Sequence, residues 1–123
     1  MKRGLYKCGK RVIVLIVTIN MVDRILVASY TNDIYTLLFD KNSKQPCLDC
    51  VASTTVGFHP SWVSSHPEDR SLVYACVEQD DGKIVLLQYA QNAKGIVLGE
   101  AITHGASPCS AIASNGELFV ANV

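Results

Sequence analysis

The chain has 123 residues, of which 49% are apolar, with 11 basic and 11 acidic side chains. This length allows one domain with a modest core, and this apolar fraction excludes a disordered chain. The charge is uneven: residues 1–24 carry six Lys or Arg and one Asp, a balance of +5, whereas residues 25–123 carry five Lys or Arg and ten Asp or Glu, a balance of −5. An acidic body is unusual for a nucleic-acid-binding protein, so we expect no nucleic-acid partner.

The first 24 residues combine a basic start with an apolar run from Val12 to Val22. Those 11 residues are too few for a membrane-spanning helix, which needs about 20, so we expect no membrane partner. A secretion signal over residues 1–22 is an alternative, but no small-x-small cleavage site follows the run and much of it is β-branched. We interpret residues 1–24 as an N-terminal extension, either an extra strand or an unstructured segment.

The 5 cysteines are odd in number and scattered along the chain. Cys47 and Cys50 form a lone C-x-x-C without the second pair that a structural zinc site requires. No helical pattern follows Cys50, which argues against a thioredoxin-like redox site. We therefore expect reduced thiols, no metal and a cytoplasmic protein.

An internal repeat is the most informative feature. The segment ILVASYT at 25–31 is similar to SLVYACV at 71–77 and ELFVANV at 117–123, with starts 46 residues apart. Residues 34–39 match residues 84–89, and the segment from Pro60 matches the segment from Pro108. Because three separate groups of segments are similar in this way, chance is a poor explanation of the repeat.

Each repeat is typical of short β-strands, because Val, Ile, Leu, Tyr and Phe runs are bounded by turn residues and no helical period extends over ten residues. Four strands in about 46 residues is the length of a propeller blade. The chain is therefore predicted to be all-β, a partial β-propeller of about two and a half four-stranded blades over residues 25–123. The predicted strands are 25–31, 34–40 and 47–56, then 60–66, 71–78, 83–90 and 96–103, then 108–113 and 117–123. A closed propeller needs at least four blades, so we expect a fragment or a truncated product.

Several motifs resemble one family. They are the opening VASYT at 27–31, PSWVSSHP at 60–67, LVYACVE at 72–78, GASPC at 105–109 and ANV at 121–123. Together they make residues 25–123 similar to the lactonase family of seven-bladed propellers, which includes bacterial 6-phosphogluconolactonase and the fungal carboxy-cis,cis-muconate cyclases.

The resemblance implies hydrolysis or formation of a lactone at the mouth of the central channel, with a small-molecule lactone as partner and without an obligatory cofactor. A sugar lactone such as 6-phosphogluconolactone is the default substrate. The His, Arg and Glu group proposed for the family's chemistry comes mainly from later blades, so the resemblance implies an N-terminal fragment that is inactive by itself. Any phosphate-binding Arg or Lys must also come from elsewhere, because the predicted mouth contains none.

The four strands of a blade are labelled A to D in chain order. In a propeller, the connections from strand D to strand A of the next blade and from strand B to strand C share the face where ligands bind. Glu78 is the predicted catalytic residue on that face, because its carboxylate can orient water or act as a general acid or base. The alternative is a solvated turn acid beside Asp80 and Asp81.

Four further residues are predicted to bind substrate at the same mouth. His59 and His104 offer an imidazole that polarises a carbonyl or accepts a proton, although loop histidines are more often solvated. Ser61 lies in no G-x-S-x-G elbow, which favours a structural role for it. Asn122 lies near a strand end.

Three other side chains are interpreted as structural. Trp62 and Tyr74 are expected to fill the space between blades, and His66 to stabilise the turn at the far end of strand A. A second function stays open beside the enzyme: a non-catalytic propeller fragment that acts in protein interaction, with a sheet edge pairing with another chain.

Overall fold

The computed structural model describes residues 13–19, 22–90 and 93–123, and that part of the chain contains ten β-strands and no helix. The strands are β1 (Ile13–Ile19), β2 (Val22–Ala28), β3 (Asp33–Asp40), β4 (Leu48–Thr55), β5 (Pro60–Ser65), β6 (Leu72–Val77), β7 (Lys83–Gln88), β8 (Ile96–Ile102), β9 (Pro108–Ser114) and β10 (Glu117–Asn122). No helix among these residues is long and apolar enough to cross a membrane. Residues 1–12, with Cys8 and the basic segment, lie outside the described residues.

The strands form three antiparallel sheets. The first has the order β1-β2-β3-β4, the second has the order β5-β6-β7-β8, and β9 pairs with β10 in the third. Each four-stranded sheet is a meander of consecutive strands, which is the construction of a propeller blade. The prediction of an all-β partial propeller with two and a half blades is confirmed. The first sheet contains a fourth strand, β1. It lies in the N-terminal segment, for which an extra strand was one of the two interpretations.

Two apolar clusters hold the blades together. The first lies between the first and second sheets and includes Leu26, Ile34, Val73 and Leu87, each with no exposed surface. The second lies between the second and third sheets. Its members are Cys76, Ile84 and Ala111, with Trp62, Tyr74, Leu118 and Val120 packed against them. The central strands of the second sheet, β6 and β7, are therefore covered on both faces, which explains their nearly continuous apolar sequences.

Equivalent residues of successive blades are not uniformly 46 residues apart. The bond from the amide of His59 to the carbonyl of Thr31 recurs from Ser107 to Gln79, a shift of 48. The bond from the amide of Glu78 to the carbonyl of His59 recurs from Val123 to Ser107, a shift of 45 for the donors. The equal spacing of 46 residues is therefore not observed: Thr31 and Gln79, which follow the first two B strands, are 48 residues apart, and Glu78 and Val123, which follow the second and third, are 45 apart.

The A–B hairpin explains this difference. In the third blade, β9 and β10 are joined at Asn115 and Gly116, both with positive φ (51° and 77°), as a tight two-residue turn requires. The second blade uses residues 66–71 for the same connection. Because strand side chains alternate, a shift of one residue reverses the faces of the strand. Leu118 packs, partly buried, against the cluster between the second and third sheets, and Phe119 on the other face is 55% exposed.

Candidate functional site

Three connections meet at one end of the second sheet. Residues 56–59 lead from β4 to β5, residues 78–82 lead from β6 to β7, and residues 103–107 lead from β8 to β9. Backbone hydrogen bonds join them: the Ser107 amide donates to the Gln79 carbonyl over 3.1 Å, and the Gly82 amide donates to the Gly105 carbonyl over 3.0 Å. The predicted sharing of one face by the D–A and B–C connections is thus observed for these three loops.

An open cavity of about 390 Å³ lies between these connections. This volume is in the range of small-molecule sites. Its lining combines one aromatic ring, one imidazole, two acidic side chains, an amide and a hydroxyl. The lining residues are Phe58, His59, Glu78, Gln79, Asp80 and Ser107.

His59 is held in position by its backbone and by its ring contacts. Its φ is +53°, a left-handed conformation that costs energy for a side chain with a Cβ and that is found disproportionately at functional sites. The imidazole stacks on Phe58 at 3.5 Å between ring centroids, and Tyr30 contacts it edge-on at 5.1 Å. The ring is therefore oriented by two aromatic neighbours at the cavity wall.

Glu78 follows the last residue of β6 and is anchored to His59 through the backbone, because its amide donates to the His59 carbonyl over 2.9 Å. Asp80, two residues further on, is exposed. The Gln79 side-chain amide donates to the Asp81 carbonyl over 2.9 Å, which fixes the turn that carries both acids. The cavity lining thus includes one imidazole and two carboxyl groups, residue types that can act in general acid–base catalysis.

The other three predicted site residues do not line this cavity. Ser61 is buried (1% exposed), and its hydroxyl donates to the Pro108 carbonyl over 3.4 Å, linking β5 to β9. His104 is exposed in the connection from β8 to β9, with φ of +57°. Asn122 is exposed near the end of β10, with its Oδ1 2.8 Å from the Thr103 hydroxyl. Their roles in binding stay predictions.

Lys83 is a cation beside this face, but its charge is paired. Its side chain passes Gly57, where a Cβ would lie 3.4 Å from Nζ. Nζ contacts both carboxylate oxygens of Glu100 at 3.0 Å. Lys83 is absent from the cavity lining, to which the described part of the chain contributes neither Lys nor Arg.

The structural interpretations of Trp62, Tyr74 and His66 are confirmed. Trp62 and Tyr74 pack against the cluster between the second and third sheets, and the Trp62 indole donates to the Ala111 carbonyl over 3.0 Å. Nδ1 of His66 accepts hydrogen bonds from the amides of Glu68 and Asp69, both at 3.1 Å.

The C-x-x-C cysteines are exposed and free. The Cys47 thiol donates to Asp49 over 3.3 Å, and this hydrogen bond raises the pKa of Cys47. Reactive C-x-x-C sites instead have a lowered thiol pKa, so this motif is not activated in that way. Within the described residues, no group of three or more His, Cys, Asp or Glu side chains is arranged to hold a metal ion.

Tyr30 was missed as a contributor to the site. It follows β2 in the B–C connection of the first blade, and its ring contact with His59 places that connection at the same mouth. The sequence contained a usable signal. The rule that placed the B–C connection of the second blade, residues 78–82, at the mouth also places the B–C connection of the first blade, residues 29–32, there.

Two antiparallel four-stranded blades, a third partial blade and a cavity between their B–C and D–A connections define a β-propeller protein with a small-molecule-sized mouth. Residues 24–123 match the family described as lactonase, 7-bladed beta-propeller, and the chain belongs to that family. The family match indicates a lactonase-like function. Searches of the curated proteins and of the solved structures found no match.

Proposed function

We propose that this chain forms part of the substrate-binding mouth of a lactone-hydrolysing propeller enzyme, with a sugar lactone as the substrate class. The observation that carries the proposal is the placement of His59 and Glu78 in one cavity, joined through the backbone. Membership of the lactonase family supports the reaction type. The family's default, 6-phosphogluconolactone, is one member of the substrate class.

In the proposed reaction, the Glu78 carboxylate accepts a proton from water as the water oxygen attacks the lactone carbonyl carbon. His59, oriented by Phe58 and Tyr30, donates a hydrogen bond to the carbonyl oxygen as negative charge develops there. The bond between the carbonyl carbon and the ring oxygen then breaks. The ring oxygen takes the proton from Glu78, which yields the hydroxy acid and regenerates the carboxylate.

Binding of a stable ring analogue tests this proposal. Isothermal titration calorimetry of the chain with glucono-1,5-lactam and with its 6-phosphate should detect at least one of the two ligands. Glu78→Gln should weaken that binding about tenfold, because a charged acceptor for the lactam N–H is replaced by a neutral one. Glu68→Gln is the matched control, since Glu68 lies at the opposite end of the sheet. Failure of both lactams to bind would overturn the proposal.

Turnover is expected to be slight or absent in this chain alone. The family resemblance implies a His, Arg and Glu group that comes mainly from later blades, so the complete set of catalytic groups is not expected in this chain. Lactone hydrolysis by the purified chain well above the spontaneous rate would contradict this expectation.

The second candidate is a non-catalytic propeller that acts in protein interaction. It is favoured by β8, an outer strand of the second sheet whose residues are all exposed and include Ile96, Leu98 and Ile102. Such an edge is a template for pairing with another strand. A purely interacting propeller has no reason to gather ionisable groups at its mouth, so the cavity of His59, Glu78 and Asp80 favours the catalytic proposal.

A further inference from the structure

The described residues that line the cavity carry charges of one sign. Glu78 and Asp80 contribute two acidic side chains, and no Lys or Arg among residues 13–19, 22–90 and 93–123 lines the cavity. A phosphate group carries a charge of about −1.5 to −2 at neutral pH and requires cationic or amide N–H partners. Placed beside two carboxylates, it is repelled.

Lys83, the cation beside this face, does not offset the repulsion. Its ammonium is 3.0 Å from both carboxylate oxygens of Glu100, so moving it to a ligand phosphate requires breaking that ion pair. Its departure would also leave Glu100 as a further unpaired acid at this end of the sheet.

The remaining lining groups fit a neutral ring that carries hydroxyl groups. Phe58 is 55% exposed and is held by its stack on His59, so it offers a fixed apolar surface to a ring. Carboxylates accept hydrogen bonds from hydroxyl groups, while the amide of Gln79 and the hydroxyl of Ser107 can donate or accept. An apolar surface combined with a few placed polar groups is the general pattern of small-molecule sites.

We infer that the cavity selects an unphosphorylated, hydroxyl-bearing lactone ring over its phosphorylated counterpart, an inference that rests on the proposed function. Asp80 is the specificity-determining residue, because it is the exposed acid of the pair and lies on the solvent side of the turn. Glu78 is reserved for the reacting water.

The ratio of two dissociation constants tests the inference. Titration calorimetry at low ionic strength should give at least tenfold tighter binding of glucono-1,5-lactam than of glucono-1,5-lactam 6-phosphate. The difference should shrink in 0.5 M salt, since screening weakens the repulsion. Asp80→Asn should improve binding of the phosphorylated lactam about threefold to tenfold and leave the neutral lactam unchanged. Asp81→Asn, which alters the next residue outside the lining, should change neither.

Equal or tighter binding of the phosphorylated lactam would overturn the inference and leave the proposed function standing. An Asp80→Asn variant that affects both lactams alike would overturn the role of Asp80. Absence of binding by either lactam would overturn the proposed function and the inference together, which distinguishes that failure from the first.

Discussion

The Cys76 side chain has no exposed surface and lies between the second and third sheets, and this burial raises the pKa of its thiol to about 12 from an ordinary value of 9.0. Cys109 and Glu78 raise it further through their charges. Below pH 9 the thiol is protonated in both the folded and the unfolded chain. Between about pH 9 and 12 the unfolded chain ionises and the folded chain does not, so rising pH favours unfolding.

We therefore expect the free energy of unfolding to fall above pH 9, by up to about 1.4 kcal/mol per pH unit from this thiol. Urea denaturation of Cys76→Ala between pH 8 and 10 should show a shallower decline than that of the parent chain. Cys50→Ala, which removes an exposed thiol, serves as control. Burial also raises the pKa of Tyr89, so the comparison is cleanest below pH 10. Equal slopes for Cys76→Ala and the parent would disprove the assignment.

At the scale of the elements, the cavity depends on how closely two connections approach each other. A Cβ on Gly82 would lie 2.4 Å from the Pro108 ring and 2.6 Å from the Gly105 carbonyl oxygen. Gly105 lies in the connection from β8 to β9, and Pro108 is the first residue of β9. Neither a backbone carbonyl nor a proline ring can move aside as the end of a flexible side chain can. Gly82 therefore sets the distance between the second and third blades at the mouth.

Gly82→Ala should force these connections apart. We expect a loss of about 2–4 kcal/mol in the free energy of unfolding, as for other overpacked or strained positions, and weaker lactam binding. Gly99→Ala is the matched control: a Cβ at this position in β8 would have no atom within 4 Å, so the substitution should be neutral or slightly stabilising. Thermal denaturation followed by circular dichroism measures both. A Gly82→Ala variant as stable as the parent would show that the connections relax.

At the scale of the whole molecule, Arg24 links the first blade to the second. It is only 5% exposed, its Nη1 donates to the Ala90 carbonyl over 3.1 Å, and its guanidinium lies 5.4 Å from the centre of the Tyr89 ring. Burial lowers the pKa of Arg24, and the nearby Tyr89 partly offsets this. The guanidinium therefore joins the blades at a desolvation cost, and its Nε has no hydrogen-bond partner among the residues that the structure describes.

Arg24→Ala should lower the free energy of unfolding by about 2–4 kcal/mol, because it removes a charged hydrogen bond and a cation–π contact. Arg24→Met should cost less, since an apolar side chain of similar length fills the space without desolvating a charge. Trp62 is the sole tryptophan and reports on the other blade interface. If the blades unfold as one unit, Trp62 fluorescence and circular dichroism shift together in Arg24→Ala. A change in circular dichroism alone would show that the first blade unfolds separately.

Much of the site followed from topology. Once the repeat was assigned to blades, the D–A and B–C rule placed His59 and Glu78 at one mouth, and both line the cavity. Ser61 shows what this rule does not predict. It lies near the start of β5 at the mouth, yet its hydroxyl donates to the Pro108 carbonyl at the contact with β9. Strand alternation and packing determine that direction, and neither is visible in the loop assignment.

The sequence alone determined the class of fold, the strand order and the face on which the D–A and B–C connections meet, because β-branched runs, turn residues and a repeat near 46 residues depend on local physics. The tertiary structure decided the register of the third blade, where a two-residue hairpin replaces a longer one and Leu118 instead of Phe119 packs against the second sheet. It also decided that Lys83 pairs with Glu100, which leaves the cavity lining acidic. Such pairings depend on distances across strands and between loops, which residue spacing along the chain does not specify.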